Sequence, residues 1–554
     1  SFVQRHGITF PMIKDAGNKI ADQLGAERTP EIFVLDHQRA IRYRGRVDDQ
    51  YVVGIVREKP TRSDLEIAVE ELLTGKSVSV PETQALGCII GRVRPVQKNS
   101  PVTYSKEIAR IFETHCVECH RDGEIAPFTL TSYGDTVGWG EMILEVTEQR
   151  RMPPWHASPE HGEFLNARRL SEEEIAAVRT WVEHGCPQGN PNDLPQSRQF
   201  TSGWQLSRKP DQVFPMRDKP FTVPADAGPD GVAYQNFWID PQFTEDKWIR
   251  EMEAIPGNRA VVHHIIVYAH PDGKGSRGDS FIAAYVPGLR LDSFPPGAAK
   301  KIPAGSWLRF QVHYTPIGSE QQDLSQVGFI YADPQAITHE VRTTEAVNTK
   351  FQIQPYKKDQ KFSAQWNKSP VDMELLSMSP HMHFRGQAFR YTAHFPDRPP
   401  EVLLDIPAYD FNWQTRYVLT EPVKIPQGTK ILCEAMFDNS ASNLANPDPS
   451  KLVTWGDQSW DEMLIGYMDV MFPVSIVDEK APLTIEEIKK MEFLQLIERL
   501  KKADKDANQR LDRGEVTSLP VLKENFDKID VDASGQLTVE ELRTAWKKLK
   551  NQRE

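Results

Sequence analysis

The chain reads as a multidomain protein that is mainly β: two antiparallel β sandwiches in its middle, an α-helical module ahead of them, a partial α/β segment at the start and a helical pair at the end. Three observations lead there. At 554 residues the chain has room for several cores, roughly three to five domains at about 100 to 200 residues each. Between about residues 201 and 480, short apolar runs alternate with Gly, Pro, Asn and Asp turns and no long helical period intervenes, the pattern of antiparallel sandwiches. The flanking stretches carry the i, i+3, i+4 spacing of helices instead. We therefore divide the chain into 1–97, 98–200, 201–345, 346–480 and 481–554.

A formal charge of −12 and a pI near 5.8 provide no basic stripe to neutralise phosphates, so nucleic acid is not an expected partner. No apolar run approaches the roughly 18 residues of a membrane span, and the chain reads as soluble. It starts at Ser1 with neither Met nor a signal peptide, so upstream sequence is expected to have been removed. The five cysteines, Cys88, Cys116, Cys119, Cys186 and Cys433, are too few and too scattered for a disulfide framework.

In 1–97, Glu31-Ile32-Phe33-Val34-Leu35-Asp36 reads as a short buried strand and Ala40-Ile41-Arg42-Tyr43-Arg44-Gly45 as its hairpin partner. Pro30 makes either a cis bond in a tight local geometry or a trans bond opening an edge strand. These residues resemble the C-terminal half of the thioredoxin-like redoxin group, where a threonine and a cis-proline precede such a strand; a partial thioredoxin-like domain is implied. No Cys-x-x-Cys or single reactive cysteine stands upstream. Cys88 lies in the apolar run Ala85-Leu86-Gly87-Cys88-Ile89-Ile90, where a buried, inert thiol is expected. The segment is read as a docking or structural remnant without thiol redox activity, which weakens a peroxide-detoxifying role.

In 98–200, Cys116-Val117-Glu118-Cys119-His120 has the Cys-x-x-Cys-His spacing of covalent haem attachment. Two thiols one helical turn apart each add to a haem vinyl, and the next residue places an imidazole beneath the iron; Ile108, Ile111 and Phe112 supply the helix. Zinc is the rival, but it needs a second ligand pair at comparable spacing, and Cys186 alone lies nearby. Arg151-Met152-Pro153-Pro154-Trp155 resembles the methionine loop of small cytochromes c. Met152 is therefore the choice of sixth ligand, with His156 and His161 as fallbacks and a plain core methionine as the alternative. A closing helix is marked by the Ser171/Glu174 capping box, by Ile175, Val178 and Val182 on one face, and by Gly185 at its end.

Pro210 to Phe221 reads as a polar, proline-rich linker into the β region. In Trp307–Tyr314, Leu308, Phe310 and Val312 share one face and Arg309, Gln311 and His313 the other, so His313 points away from the apolar side. Adjacent strand residues face opposite ways. His263 and His264 thus reach one metal only if the strand twists or bulges, or if one ring uses its other nitrogen; geometry alone grants one of them. In Ser379-Pro380-His381-Met382-His383-Phe384-Arg385-Gly386, a strand puts His381 and His383 side by side with Met382 turned away, either a bidentate metal grip or an ordinary surface pair. Met463, in Trp460-Asp461-Glu462-Met463, would alone be core filler. His270, His339 and His394 have no such context and read as surface or core histidines.

Taken in order with their flanking residues, Val261-Val262-His263-His264, Gln311-Val312-His313-Tyr314, His381-Met382-His383 and Asp461-Glu462-Met463 resemble the copper type II, ascorbate-dependent monooxygenases, which include peptidylglycine α-hydroxylating monooxygenase and dopamine β-monooxygenase. The resemblance covers roughly residues 215 to 478. It implies an all-histidine copper site of His263, His264 and His313 that stores and passes an electron. It also implies a second copper site of His381, His383 and Met463, where oxygen binds and substrate is oxidised. Ligand softness agrees: a thioether favours Cu(I), and three imidazoles suit both oxidation states. The peptide-amidating members have an arginine two residues before the first histidine of the HxH and an asparagine two residues after the methionine. Here those positions are Ser379 and Ile465, although Tyr467 is kept, so a glycine-extended peptide is not the expected substrate. Cys433 matches one half of a family disulfide, but Leu464 holds the partner position and that bridge is not expected.

In 481–554, Asp530, Asp532, Ser534, Gln536, Thr538 and Glu541, with Gly535 at the sharp turn, match an EF-hand calcium loop. A weaker copy, Asp504, Asp506, Asn508, Asp512 and Glu515 with Gln509 in the glycine position, follows a helix marked by Leu494, Ile497 and Leu500. A solvated charged tail is the alternative to a calcium-binding clamp.

The motifs and the resemblance lead to an enzyme: a copper-dependent monooxygenase that inserts one oxygen atom of O2 into a C–H bond of a small organic substrate, fed by the fused c-type haem and, behind it, an external electron donor. The alternative is a non-catalytic protein in which haem and copper relay electrons or handle copper. Haem attachment to Cys-x-x-Cys-His occurs outside the cytoplasmic membrane, so a bacterial periplasmic or secreted location is expected. The oxygenase reading requires the two copper groups to face each other across a gap not filled by packed side chains.

Overall fold

The computed structural model describes residues 8–474 and 496–551, apart from 53–54, 57–59, 93, 123, 125, 201–202, 227–231, 272–279, 287–288, 290, 368, 498–499, 501–502, 507 and 509. Leu494 and Gln509, named above, lie outside the described residues. The chain is mainly β. Among the described residues, apolar alternation folds the middle of it into one large sheet, two four-stranded sheets and a two-stranded pair of Phe221–Val223 with Gln321–Asp323. The large sheet runs Tyr417–Ile425, Met373–His381, Ile465–Pro473, His339–Val347, Ala298–Ile302, Lys247–Ile255, Gln326–Tyr331, Gln212–Pro215, with Leu291–Ser293 paired beside Lys247–Ile255. Gln212–Pro215 falls inside the stretch read as a linker; its backbone pairs with Gln326–Phe329, a long-range contact that composition does not signal.

Two four-stranded sheets cover the two halves of this sheet. The first, Ser280–Tyr285, Val262–His270, Trp307–Tyr314 and Gln235–Ile239, closes a core in which Leu308, Phe310 and Val312 are fully buried, as their period of two requires. The second, Gln360–Trp366, Lys430–Phe437, Gly386–His394 and Glu401–Ile406, closes a core around Phe389, Tyr391, Leu404 and Met468. Cys433 is buried there as a free thiol. The halves share one sheet: His339–Val347 pairs in parallel with Ala298–Ile302 and antiparallel along its whole length with Ile465–Pro473. That strand runs across the expected 345/346 boundary.

At the seam, Lys300, Asp469, Arg416 and Asp292 are buried together. Arg416 Nη1 contacts both Asp292 and Asp469, the latter at 3.2 Å, and Lys300 Nζ lies 3.5 Å from Asp469. Thr343 and Ser377 donate to Asp469 at 2.6 and 2.9 Å. Burial alone would raise the Asp469 carboxyl; Arg416 and Lys300 outweigh it and hold the group well below the usual carboxylate range.

Ahead of the sandwiches, helices Ala109–His115, Gly140–Glu148 and Glu172–Glu183 enclose a separate core of Ile108, Phe112, Val178 and Trp181. The Ser171/Glu174 capping box is present, and Gly185 leaves the last helix at φ +76°. This module does not stop at a hinge. Trp155, Ala157 and Phe164 enter the core of the second sandwich. The Leu165 amide donates to the Val418 carbonyl at 2.8 Å, and the Thr420 amide to the Glu163 carbonyl at 2.9 Å, so this loop lies along the edge strand Tyr417–Ile425.

In the first segment the Thr29–Pro30 bond is cis, and Ile32–Leu35 pairs with Ile41–Gly45 as the hairpin reading has it. Two expectations are corrected. The Ile32–Leu35 strand is only half-buried, with Leu35 42 % exposed, because its sheet has just two strands. Cys88 is exposed, since Cys88–Ile89 pairs only with Arg28–Thr29 in another two-stranded sheet. At the other end, Pro520–Ile529 and Val539–Asn551 pack around Leu511, Phe526 and Leu537, and Leu511–Asp512 pairs with Gln536–Leu537. Among the described residues, no helix is long and apolar enough to cross a membrane.

Replacing Asp469 with Ala removes the carboxylate shared by two buried cations and leaves Asp292 alone to offset them. The expected loss is about 3 to 5 kcal/mol of unfolding free energy, read from urea denaturation.

Candidate metal centre

The register of Val262–His270 against Trp307–Tyr314 shifts between Val262 and His264: Val262 faces Tyr314, and His264 faces His313. His263 is the extra residue. A bulge of this kind re-aims a side chain, which is one of the ways left open for the adjacent histidines to face one metal. His263, His264 and His313 each present a ring nitrogen, and the three nitrogens lie within 4.8 Å of one another. Tyr234 stacks on His313 with centroids 4.8 Å apart. Burial lowers all three imidazoles, His263 to about 3, His313 to about 4 and His264 well below its ordinary value; neighbouring imidazoles push His263 and His264 the same way. They are neutral at pH 7, the form that ligates metal. His313 Nδ1 is buried with no hydrogen-bond partner, as a nitrogen reserved for a cation would be.

His381 closes the strand Met373–His381, and His383 lies just beyond it, not inside it as expected, because the chain turns at Phe384-Arg385. The alternation still holds. The two rings sit 5.2 Å apart, and Met382 is fully buried on the other side. His381 Nδ1 is 2.6 Å from Gln414 Oε1, whose amide nitrogen is tied to the Phe411 carbonyl; His383 Nδ1 is 3.3 Å from the Asp461 carbonyl. Both partners accept, so each imidazole donates from Nδ1 and keeps Nε2 as its ligating nitrogen. Buried Glu462 accepts the backbone amides of His383 and Arg385 at 2.7 and 2.6 Å. Burial pushes its carboxyl up to about 8 against the pull of those amides and of Arg385. Half-buried Met463 follows directly, and Ile465, two residues on, is paired with His381.

The two groups are neighbours. Phe411 stacks on His263 at 5.2 Å and meets His383 edge-on at 5.8 Å. Phe411 is thus in ring contact with one histidine of each group. The cause is the loop 407–416, held by Tyr409 Oη on the Met382 backbone, by Gln414 on His381 and by Arg416 in the buried charge group. Tyr467, Phe281 and Tyr268 form a further aromatic row, 5.8 and 5.9 Å between centroids. The roles of Phe411 and Gln414 were missed in the sequence, where neither belongs to a motif. His270 packs on Trp238, His339 bonds Thr338, and His394 is exposed; none of the three joins either group.

In the helical module, the His120 amide closes a turn on the Cys116 carbonyl at 2.9 Å. His120 Nδ1 is 3.1 Å from the Phe128 carbonyl, which again leaves Nε2 for a metal. Burial raises both thiols, Cys116 to about 12. Met152 is 41 % exposed and lines a cavity of about 400 Å³ with Trp155, Arg168, Arg169 and Ile175. Arg168 reaches from that cavity to Cys119 Sγ at 3.8 Å, so Met152 and the Cys-x-x-Cys-His motif border one region. His156 and His161 are half-buried, and His156 Nε2 is shielded without a partner.

Near the C-terminus, ligand oxygens of Asp530, Asp532 and Glu541 lie within 4.8 Å of one another, as do those of Asp504, Asp506 and Glu515. Gly535 turns at φ +78° and donates to Asp530. Ser534 donates to the Gln536 carbonyl and Thr538 to Glu541. In the first loop, Asn508 bonds Asp504 and Asp506, and Asp512 bonds Glu515.

No known protein family matches the chain, and no characterised protein matches it in sequence. Among solved structures it is similar to the major capsid protein P2 of bacteriophage PM2 (8% identity, TM-score 0.24, 47% of this chain and 97% of that one). It is also similar to PNGase F, a glycosylasparaginase from Flavobacterium meningosepticum (11%, 0.22, 47% and 95%), and to PNGF-II (10%, 0.22, 47% and 65%). These values identify neither a family nor an activity.

In the metal-free fold His263 and His313 take up protons only near pH 3 to 4, whereas an unfolded chain does so near about 6.5. The unfolded state binds more protons in between, so stability is full above about pH 6.5 and falls as pH drops toward about 3. Urea midpoints of the metal-free protein should decline across that window, and less steeply in a His263→Gln/His313→Gln variant.

Proposed function

We propose that the chain is a copper-dependent monooxygenase that hydroxylates a C–H bond of a small organic substrate with O2, taking electrons through a c-type haem in the same chain. The observation that supports it most is the meeting of two groups of neutral, buried imidazoles at Phe411. His263, His264 and His313 would hold one copper; His381, His383 and Met463 would hold the other, where the thioether favours Cu(I). Copper so held supplies one-electron steps and O2 binding. The chain's own residues set the conditions. Gln414 and the Asp461 carbonyl hold the Nδ1 protons and aim the opposite nitrogens, Glu462 fixes the turn after His383, and burial keeps protons from competing with metal at neutral pH. The aromatic row of Tyr467, Phe281 and Tyr268 suits an apolar or aromatic substrate. Cys116, Cys119, His120 and Met152 would hold the haem, the two carboxylate loops calcium, and the setting would be periplasmic or secreted.

One observation favours the second reading, a haem and copper electron relay without catalysis: Phe411 is in ring contact with a histidine of each group and links them through packed side chains. Oxygen uptake by the copper- and haem-loaded protein decides between them. Uptake that depends on an added organic substrate and yields hydroxylated product supports the oxygenase; haem oxidation without product supports the relay. Met463→Ile is expected to abolish turnover and leave the haem absorbance unchanged, and retained turnover would discredit the second copper site. Glu541→Gln is expected to weaken calcium binding at the second loop by an order of magnitude in calorimetry, because it removes the bidentate carboxylate.

A further inference from the structure

The helical module contacts the segments that lead to both histidine groups, by unlike routes. On one side Glu124 pairs with Arg121 at 2.8 Å and with Arg259 at 2.5 Å, and Arg259 precedes His263 by three intervening residues. That route is ionic, and it stops short of the imidazoles. On the other side Arg168 Nη1 lies 3.8 Å from Cys119 Sγ, and the guanidinium carbon lies 5.7 Å from the centre of the Trp413 ring. Gln414 is the next residue along the chain, and its Oε1 is 2.6 Å from His381 Nδ1. The contact is held rigidly: Asn166 donates to the Arg416 carbonyl at 2.6 Å and accepts the Val418 amide at 3.1 Å. Trp413 Nε1 is buried without a partner, so no hydrogen bond accounts for an indole at this place.

We infer that Trp413 and Gln414 conduct electrons from the haem bound at Cys119 into the His381/His383 centre, ahead of the all-histidine group. The inference rests on the haem and copper assignment proposed above. The chemistry is a single electron exchange: ferrous haem becomes ferric, Cu(II) becomes Cu(I), no heavy-atom bond forms or breaks, and an external one-electron donor later restores the ferrous haem.

The test uses the full chain loaded with haem and Cu(II) under anaerobic conditions. A flash-excited flavin reduces the haem, and its visible absorbance then reports re-oxidation by copper. Trp413→Leu should slow this phase by an order of magnitude and Trp413→Phe should restore most of it, with haem potential and copper content unchanged; Arg259→Gln should leave the rate as it was. A wild-type rate in Trp413→Leu overturns the proposal, as does a slow Arg259→Gln beside a fast Trp413→Leu, which would send the electron to His263 and its neighbours. If Trp413→Leu does not fold, Arg168→Lys breaks the same contact from the other side and should slow the phase, and an unchanged rate there is equally fatal. Absence of any copper-dependent re-oxidation in the wild type would sink the underlying haem and copper assignment instead, and this route with it.

Discussion

Two cations and two anions buried together at the seam of the sandwiches set the geometry of everything around them. Charges withdrawn from water are tolerated only when each has its counterpart and its remaining hydrogen bonds. Arg416 must therefore stay between Asp292 and Asp469, which come from different halves of the molecule. Arg416 ends the loop that carries Phe411 and Gln414. Fixing it fixes the ring that contacts both histidine groups and the amide that orients His381. The site is thus built on the seam and not within either sandwich.

The histidine groups differ in how they are supported. His381 and His383 are each steadied through Nδ1 by an oxygen acceptor from a distant part of the chain. The all-histidine group has less such support: His263 and His264 Nδ1 lie 3.2 Å from each other, and His313 Nδ1 has no partner. Its order comes from the bulge and from the Tyr234 ring on His313. Two groups built this way would give a bound metal different latitude: one has fixed tautomers, and the other would be freer to adjust its rings as charge on the metal changed.

Local pattern made part of this legible. The period of two placed His313 opposite the apolar residues of its strand, the Ser171/Glu174 box announced a helix, and the adjacency of His263 and His264 left open a twist, a bulge or the use of the other ring nitrogen, of which the structure contains the bulge. Contacts between residues far apart in the chain were not legible, because no local rule records them. Trp155 and Phe164 looked like part of the helical module and serve the core of a sandwich instead. The segment 212–215 looked like a linker by composition and is an edge strand by pairing. Phe411 lies in a loop with no periodicity, and the anchoring of that loop at both ends brings its ring against His263 and His383.

The weaving of residues 158–165 along Tyr417–Ile425 bears on how the protein is made. Asn166 waits for a backbone partner 250 residues further on, and Trp155 and Phe164 have nothing to cover them until that part of the chain has been synthesised. The helical module, although it emerges before the sandwiches, has its outer face covered only after them. Any maturation chemistry at Cys116 and Cys119 therefore has an interval during biogenesis when those thiols stand clear of Trp413 and the neighbouring sandwich.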